Sequence, residues 1–379
     1  MQKSILLILS IVLILSCKEN FGKLSSTPSL AEDKTETFEW LDQKIDSTMK
    51  VNNVPALSVG IIRNDELVYA KGFGFLTRES KVQVNENTLY QIGSDTKKFT
   101  GIIVNNLVAQ GKLNLEEPIT TYLKKDLSNE SIKKLATITV RTLLHHKSGI
   151  PNREPSNRRI DGDPMLVEFS EEDLVKDLNI LELDFQPNSK FSYSNFGYAI
   201  VGYICEKVSG QDYSILVKTY ITDKYDMPNT VVYPNKKQSQ QIALPYRKDD
   251  RIVPSKPWTM GKMTPAGGIY SNVKDISNLM LAQMKAYQKF HRTREKSDPL
   301  ILTENPDGNE GEYGFGLGKN VDEYGVRYGH GGDLDGYGSE YVFSPEYNLG
   351  IILLTSSGGG WIGNLNGTIR KEMIDKIRG

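Results

Sequence analysis

Gln91-Ile92-Gly93-Ser94-Asp95-Thr96-Lys97-Lys98-Phe99-Thr100 decides the fold. A β-prone run ends at Gly93, and a helical run begins at a serine with a lysine three residues on. Positions i and i+3 share a helix face, so Ser94 and Lys97 are placed to point at one another. A hydroxyl is a weak nucleophile until a neighbour removes its proton, which an amine held neutral by burial does. The same Ser-x-x-Lys spacing recurs at Ser47, Ser131 and Ser271, so context must single out Ser94.

On the N-terminal side, Phe38, Leu41, Ile45 and Met49 recur at helical spacing and predict an amphipathic helix that stops before Asn52-Asn53 and Pro55. Residues 56–63 and 67–74 read as strands of a hairpin around Asn64-Asp65-Glu66. On the C-terminal side, Phe99, Ile102, Ile103 and Leu107 form one apolar face of a helix that Gly111 stops. The positive end of that helix dipole lies beside Ser94 and favours an oxyanion there.

Residues 113–287 read mostly as helices and loops. Residues 139–151 form a helix ending in a glycine turn; its His145 and His146 face different ways, and nothing places either near Ser94. Residues 187–198 form a loop carrying Tyr193-Ser194-Asn195, which opens an apolar helix over 199–208 that contains Cys205 as a core residue. Tyr-x-Asn recurs at Tyr233 and Tyr270, where Asn272 is expected to cap a helix over 273–284. The cations from Lys285 to Lys296 read as a solvated helix end and loop. The glycines of 311–318 lack the strand-loop-helix context and the Lys-Ser/Thr of a nucleotide loop.

Residues 326–331, 338–344 and 349–355 read as three strands, and 364–377 as a helix with Leu365, Ile369, Met373 and Ile377 on one stripe. The expected class is α/β of the α+β kind. A mostly antiparallel five-stranded sheet (residues 38–92 and 313–379) carries terminal helices on one face and a large, mainly helical insertion (93–312) on the other, within one catalytic domain over 38–379.

Met1-Gln2-Lys3 and the apolar run 5–15 read as a secretory signal, shorter than the roughly 20 residues of a membrane span. Ile14-Leu15-Ser16-Cys17 resembles a bacterial lipoprotein processing site. That resemblance implies a signal peptide over 1–16, a lipidated Cys17 that anchors the chain to a membrane, and a polar tether over 17–37. Lys18 after the cysteine points to the outer membrane by analogy with sorting in Gram-negative cells. With Cys17 used, Cys205 has no partner for an intramolecular disulfide. The 46 basic and 47 acidic residues form no basic block, so nothing marks a nucleic-acid partner, and no Cys/His spacing suits a metal.

Ser94-Asp95-Thr96-Lys97, Tyr193-Ser194-Asn195 and His330-Gly331-Gly332 follow one another in that order, and segments 139–151, 187–210, 265–284 and 328–355 support them. Over residues 40–377 the chain resembles the serine β-lactamase and penicillin-binding protein superfamily, on the branch of class C β-lactamases, D-alanyl-D-alanine peptidases, D-aminopeptidases and esterases. The resemblance implies that Ser94 is acylated, that Lys97 and Tyr193 share the proton work, and that Asn195 binds the substrate amide or the Lys97 ammonium. The backbone N–H groups of Ser94 and Asp333 would hold the oxyanion, with His330 and Gly332 at the substrate, and no metal or organic cofactor is implied. Many β-lactamases carry Lys-Thr-Gly or Lys-Ser-Gly at the third position. Here His330 is mostly neutral at pH 7 by its reference pKa of about 6.5, Gly331 has no hydroxyl, and Asp333 and Asp335 add negative charge. Esters or amides of D-amino acids with a free amino end are therefore expected ahead of β-lactams. Loops over 153–169 and 246–262 are expected to line the cleft. A non-catalytic or penicillin-sensing binding lipoprotein of the same fold is the alternative.

Overall fold

The computed structural model describes residues 38–152 and 169–379. In chain order its strands are β1 (Ala56–Arg63), β2 (Glu66–Gly74), β3 (Tyr90–Gln91), β4 (Tyr270–Ser271), β5 (Glu312–Tyr313), β6 (Gly318–Asp322), β7 (Gly325–Asp333), β8 (Gly338–Ser344) and β9 (Leu349–Thr355). β1 and β2 form the expected hairpin, with Asn64 (φ 50°) and Asp65 (φ 67°) in the left-handed conformation that a tight, right-twisted hairpin demands. β9 returns to pair with β1, which joins the two ends of the chain.

The main sheet has seven strands rather than five, in the order β2-β1-β9-β8-β7-β6-β5, and each neighbouring pair in it is antiparallel. The additions are β5 and β6 at one edge. β6 buries only Lys319 among its five residues, so it lacks the apolar alternation that marks a strand in a sequence. β3 and β4 pair separately and tie the segment that leads to Ser94 to residues 270–271.

Five helices position the sheet and the site: α1 (Glu39–Val51), α2 (Lys97–Ala109), α3 (Asn195–Ser209), α4 (Val273–Thr293) and α5 (Trp361–Arg378). α1 buries Leu41, Ile45 and Met49, and α5 buries Leu365, Ile369 and Met373, the stripes that their spacing predicts. α4 and α5 cover opposite faces. A Cβ on Gly350 of β9 would meet the Met280 and Met284 sulfurs of α4, whereas one on Gly338, opposite Thr355, would meet Ile362 of α5. α4 runs past residue 284 because Tyr287 and Phe290 extend its buried stripe; Asn272 caps its start and Arg294 (φ 61°) ends it. Phe99, Ile102, Ile103 and Leu107 of α2 are fully buried in the insertion's core, each worth about 1.5–3 kcal/mol on transfer from water. Residues 139–151 hold a single short helix, Val140–Leu144, before the turn at Gly149 (φ 80°).

Candidate active site

The chain leaves β3 through Gly93, whose φ of 53° suits glycine. A Cβ there would stand 3.2 Å from Gly332 Cα and 3.3 Å from Asp333 N, and one on Gly332 would stand 2.0 Å from the Ile92 oxygen. Two bare stretches of backbone therefore lie against each other and set Ser94 beside the end of β7. Gly93–Thr96 is one turn of 3₁₀ helix that leads into α2 at Lys97. Gln91 clamps Trp258 by two 2.8 Å hydrogen bonds, so the expected 246–262 loop is fastened to β3, the strand before Ser94.

Lys97 is fully buried. Its Nζ lies 3.1 Å from Ser94 Oγ, 2.7 Å from Asn195 Oδ1 and 2.7 Å from the Ala266 oxygen. Desolvation holds its pKa well below the usual lysine value. A neutral amine has two N–H bonds and one lone pair. Two partners here are carbonyl oxygens that only accept, so the lone pair is left for the Ser94 hydroxyl. Asp95 does not restore a charge to Lys97, because its Oδ1 sits 2.5 Å from the Nζ of Lys98, itself fully buried and 3.9 Å from the Tyr341 ring centroid.

Tyr193 sits over this group, with Lys97 Nζ 4.8 Å from its ring centroid. Burial raises its phenol pKa, so the hydroxyl keeps its proton. Ser194, one residue on, caps α3: its Oγ accepts from Gly197 N at 2.9 Å and donates to the Pro151 oxygen at 2.7 Å. That cap aims Asn195 at Lys97.

His330 reaches the same cluster from β7. Its Nδ1 is 2.7 Å from the Gly331 oxygen and its Nε2 is 2.8 Å from Tyr313 Oη. Since a carbonyl cannot donate, Nδ1 carries the proton and the bare Nε2 accepts from Tyr313. Burial, with the nearby Lys97, pushes His330 down to about 3, so the ring is neutral. Asp333 offers its backbone N beside Gly93, but its carboxylate turns away: Oδ1 accepts from Gly359 N at 2.9 Å, and Oδ2 lies 3.3 Å from Lys248 Nζ. Asp335 lies 3.5 Å from Ser255 Oγ. The expected free negative rim is thus partly compensated at Asp333.

Ser94, Lys97, Tyr193, Asn195, His330, Gly332 and the Asp333 backbone come together. Cys17 and residues 153–168 of the expected cleft loop lie outside the described residues. The other Ser-x-x-Lys matches stay apart: Lys134 pairs with Glu182, Ser271 bonds Thr230 at 2.7 Å, and Ser47 is on the exposed side of α1. Tyr233 is exposed, and Asn235 and Asn272 are helix caps.

Two residues of the Ser94 cluster escape the sequence reading. His146, in the left-handed region (φ 56°), is buried with its ring centroid 4.2 Å from that of Tyr193, and its Nδ1 accepts from Ser194 N at 3.0 Å. Burial pushes it down to about 2, so it is a neutral prop for Tyr193. Tyr313 comes from the glycine-rich run set aside as a non-nucleotide loop. That run serves close packing: Gly316 (φ 81°) lies where a Cβ would be 2.2 Å from the Lys97 carbonyl carbon. The glycines were the available signal.

Comparison with known proteins agrees with this constellation. Protein flp of Staphylococcus aureus (strain MRSA252) is 25% identical over 339 residues, which cover 89% of this chain and 66% of that protein. The chain thus spans just under two thirds of the length of that relative. The Escherichia coli (strain K12) protein named "Putative D-alanyl-D-alanine carboxypeptidase" is 26% identical over 405 residues, covering 94% of this chain and 91% of that one. Among solved structures, the octameric penicillin-binding protein homologue from Pyrococcus abyssi superposes with a TM-score of 0.72 at 28% identity, over 84% of this chain and 73% of its own. The Beta-lactamase family model matches residues 41–368, a span that holds the Ser94 turn, the Tyr193 loop and the His330 strand, and the chain belongs to that family.

Proposed function

We propose that this chain is a serine hydrolase that works through an acyl-enzyme on Ser94 and cleaves amide or ester bonds of D-amino-acid peptides and esters in preference to β-lactams. The observation that carries the reading is the amine of Lys97, desolvated and bonded to two acceptors, 3.1 Å from Ser94 Oγ. Lys97 takes the Ser94 proton as Oγ bonds to the substrate carbonyl carbon. The oxyanion falls to the N–H groups of Ser94 and Asp333, a device whose loss typically costs about 10²–10³ in rate. When the scissile bond breaks, Tyr193 and Lys97 return a proton to the leaving group, and water then repeats the sequence on the acyl-enzyme.

The substrate preference rests on the third motif. His330 is neutral and spends both ring nitrogens on protein groups, and Gly331 supplies no hydroxyl, so neither recognises a substrate carboxylate. A lipid anchor on Cys17, exposing the domain at the outer membrane, completes the reading. Among the described residues no helix is long and apolar enough to cross a membrane.

Labelling by a fluorophosphonate and its loss in Ser94→Ala tests the nucleophile. Labelling that persists for days without product would favour the penicillin-sensing alternative. Steady-state rates on D-alanyl-p-nitroanilide, short p-nitrophenyl esters and nitrocefin test the substrate class, and dominant nitrocefin turnover would sink it. Cys17→Ser should move the protein from the membrane to the soluble fraction.

A further inference from the structure

We propose that Tyr313 is a positioning residue through which His330 acts on Tyr193, an inference that rests on the serine-hydrolase reading above. The directions of the hydrogen bonds carry it. His330 Nδ1–H is committed to the Gly331 oxygen at 2.7 Å, so Nε2 accepts the Tyr313 proton at 2.8 Å. Tyr198 donates its own proton to the Leu144 oxygen at 3.0 Å, so it offers none to Tyr313. The Tyr313 oxygen is therefore left as an acceptor on the side of Tyr193, whose ring stands edge-on to it with centroids 6.2 Å apart. With its proton held toward Tyr313, Tyr193 turns a lone pair to Ser94. The Ser94 hydroxyl then meets two acceptors, Lys97 Nζ and Tyr193 Oη, and no donor that would tie up the lone pair it attacks with.

The backbone of Tyr313 is anchored for this task. His145 Nδ1 lies 2.6 Å from its carbonyl oxygen and His145 Nε2 lies 2.7 Å from Glu304 Oε2. The Tyr313 ring meets His146 at 4.7 Å and Phe191 at 5.9 Å between centroids. Tyr313→Phe keeps those ring contacts and deletes only the hydroxyl.

The test is a double-mutant cycle on wild type, Tyr313→Phe, His330→Leu and the double variant, with p-nitrophenyl acetate as a neutral substrate and nitrocefin as a carboxylate. Each single variant should lower kcat about 10–100-fold, the worth of one hydrogen bond in the transition state, with KM nearly unchanged. The double variant should lose no more than the worse single, and His330→Gln, which keeps an acceptor, should recover rate relative to His330→Leu. Multiplying losses, or a KM rise confined to nitrocefin in His330→Leu, overturns the proposal, because His330 would then act on substrate by itself. Urea unfolding of each variant separates a folding defect from a kinetic one. Absence of Ser94-dependent fluorophosphonate labelling in the wild type overturns instead the hydrolase reading beneath it.

Discussion

Lys97 Nζ approaches Ser94 Oγ at 3.1 Å while its two shorter contacts, both 2.7 Å, go to the oxygens of Asn195 and Ala266. This ordering gives the amine a fixed direction, with its lone pair turned to Ser94, which suits it to the base role proposed above. Its depressed pKa leaves it unprotonated over a range where a solvated lysine is a cation.

Replacement of Lys97 separates charge from lone pair. Lys97→Ala removes both, and Lys97→Arg keeps a cation that never accepts a proton. Both should lower the rate of Ser94 acylation by about 10²–10⁴, the usual worth of general base catalysis. The wild-type rate should fall as pH drops through the lowered Lys97 pKa, since protonation fills the lone pair. Ser131→Ala, in a helix remote from Lys97, should leave the rate unchanged. Stopped-flow acylation by a chromogenic ester across pH checks all of these.

The buried ion pair one residue further on is a stability element. Asp95 and Lys98 are 1% and 0% exposed and 2.5 Å apart, so each is the other's compensation for lost water. Asp95→Asn or Lys98→Met strands one buried charge and should cost about 3–5 kcal/mol, whereas the double variant should recover much of that loss. Urea unfolding of the three variants measures the coupling directly.

Much of this site is legible in the sequence, and the part that is not has a physical cause. Ser94 and Lys97 share one helical turn, so their spacing alone predicts contact. β1 and β9 announce themselves as apolar runs because both faces of the sheet are covered. β6 does not, since it lies next to the edge, is covered outward only by the two-residue β5, and exposes polar residues. His146 is not legible in the same way, because its partnership with Tyr193 depends on how the left-handed turn before Gly149 folds back against the tyrosine loop. That turn is recorded in the hydrogen bond from Ser192 N to the His146 oxygen at 2.8 Å. Local periodicity carries no information about such a crossing.

Acid stability should follow the buried imidazoles. His146 and His330 are held at about 2 and about 3, against a reference near 6.5. Below pH about 6.5 the unfolded chain binds two protons that the folded chain refuses, so stability falls as pH falls, by up to about 1.4 kcal/mol per pH unit for each group. Glu340, raised to about 7 chiefly by burial, works in the opposite sense between its ordinary value of 4.5 and 7, where the folded state holds the extra proton. The decline should therefore be shallow down to pH 4.5 and steeper from there to about 3. Glu340→Gln should remove the shallow region. Urea midpoints measured from pH 7 to 3.5 decide this, and a uniform slope in the wild type would contradict it.

Tyr193 and its prop make a pair of variants with opposite signatures. Tyr193→Phe keeps the ring that faces His146 at 4.2 Å and the Lys97 amine at 4.8 Å, but loses the hydroxyl bonded to Ser94. It should fold normally and lose about 10²–10⁴ in kcat, as expected for a proton-transfer group. His146→Ala keeps every proton-carrying group yet opens a cavity beneath Tyr193 and leaves Ser194 N–H without its 3.0 Å acceptor. Its main cost should be stability, about 2–4 kcal/mol from the cavity and the unpaired donor together, with a smaller loss of rate as Tyr193 and Asn195 drift from Lys97. Unfolding midpoints and kcat measured on both proteins distinguish the two roles. A stable His146→Ala with full activity would show that the ring neither supports nor orients Tyr193.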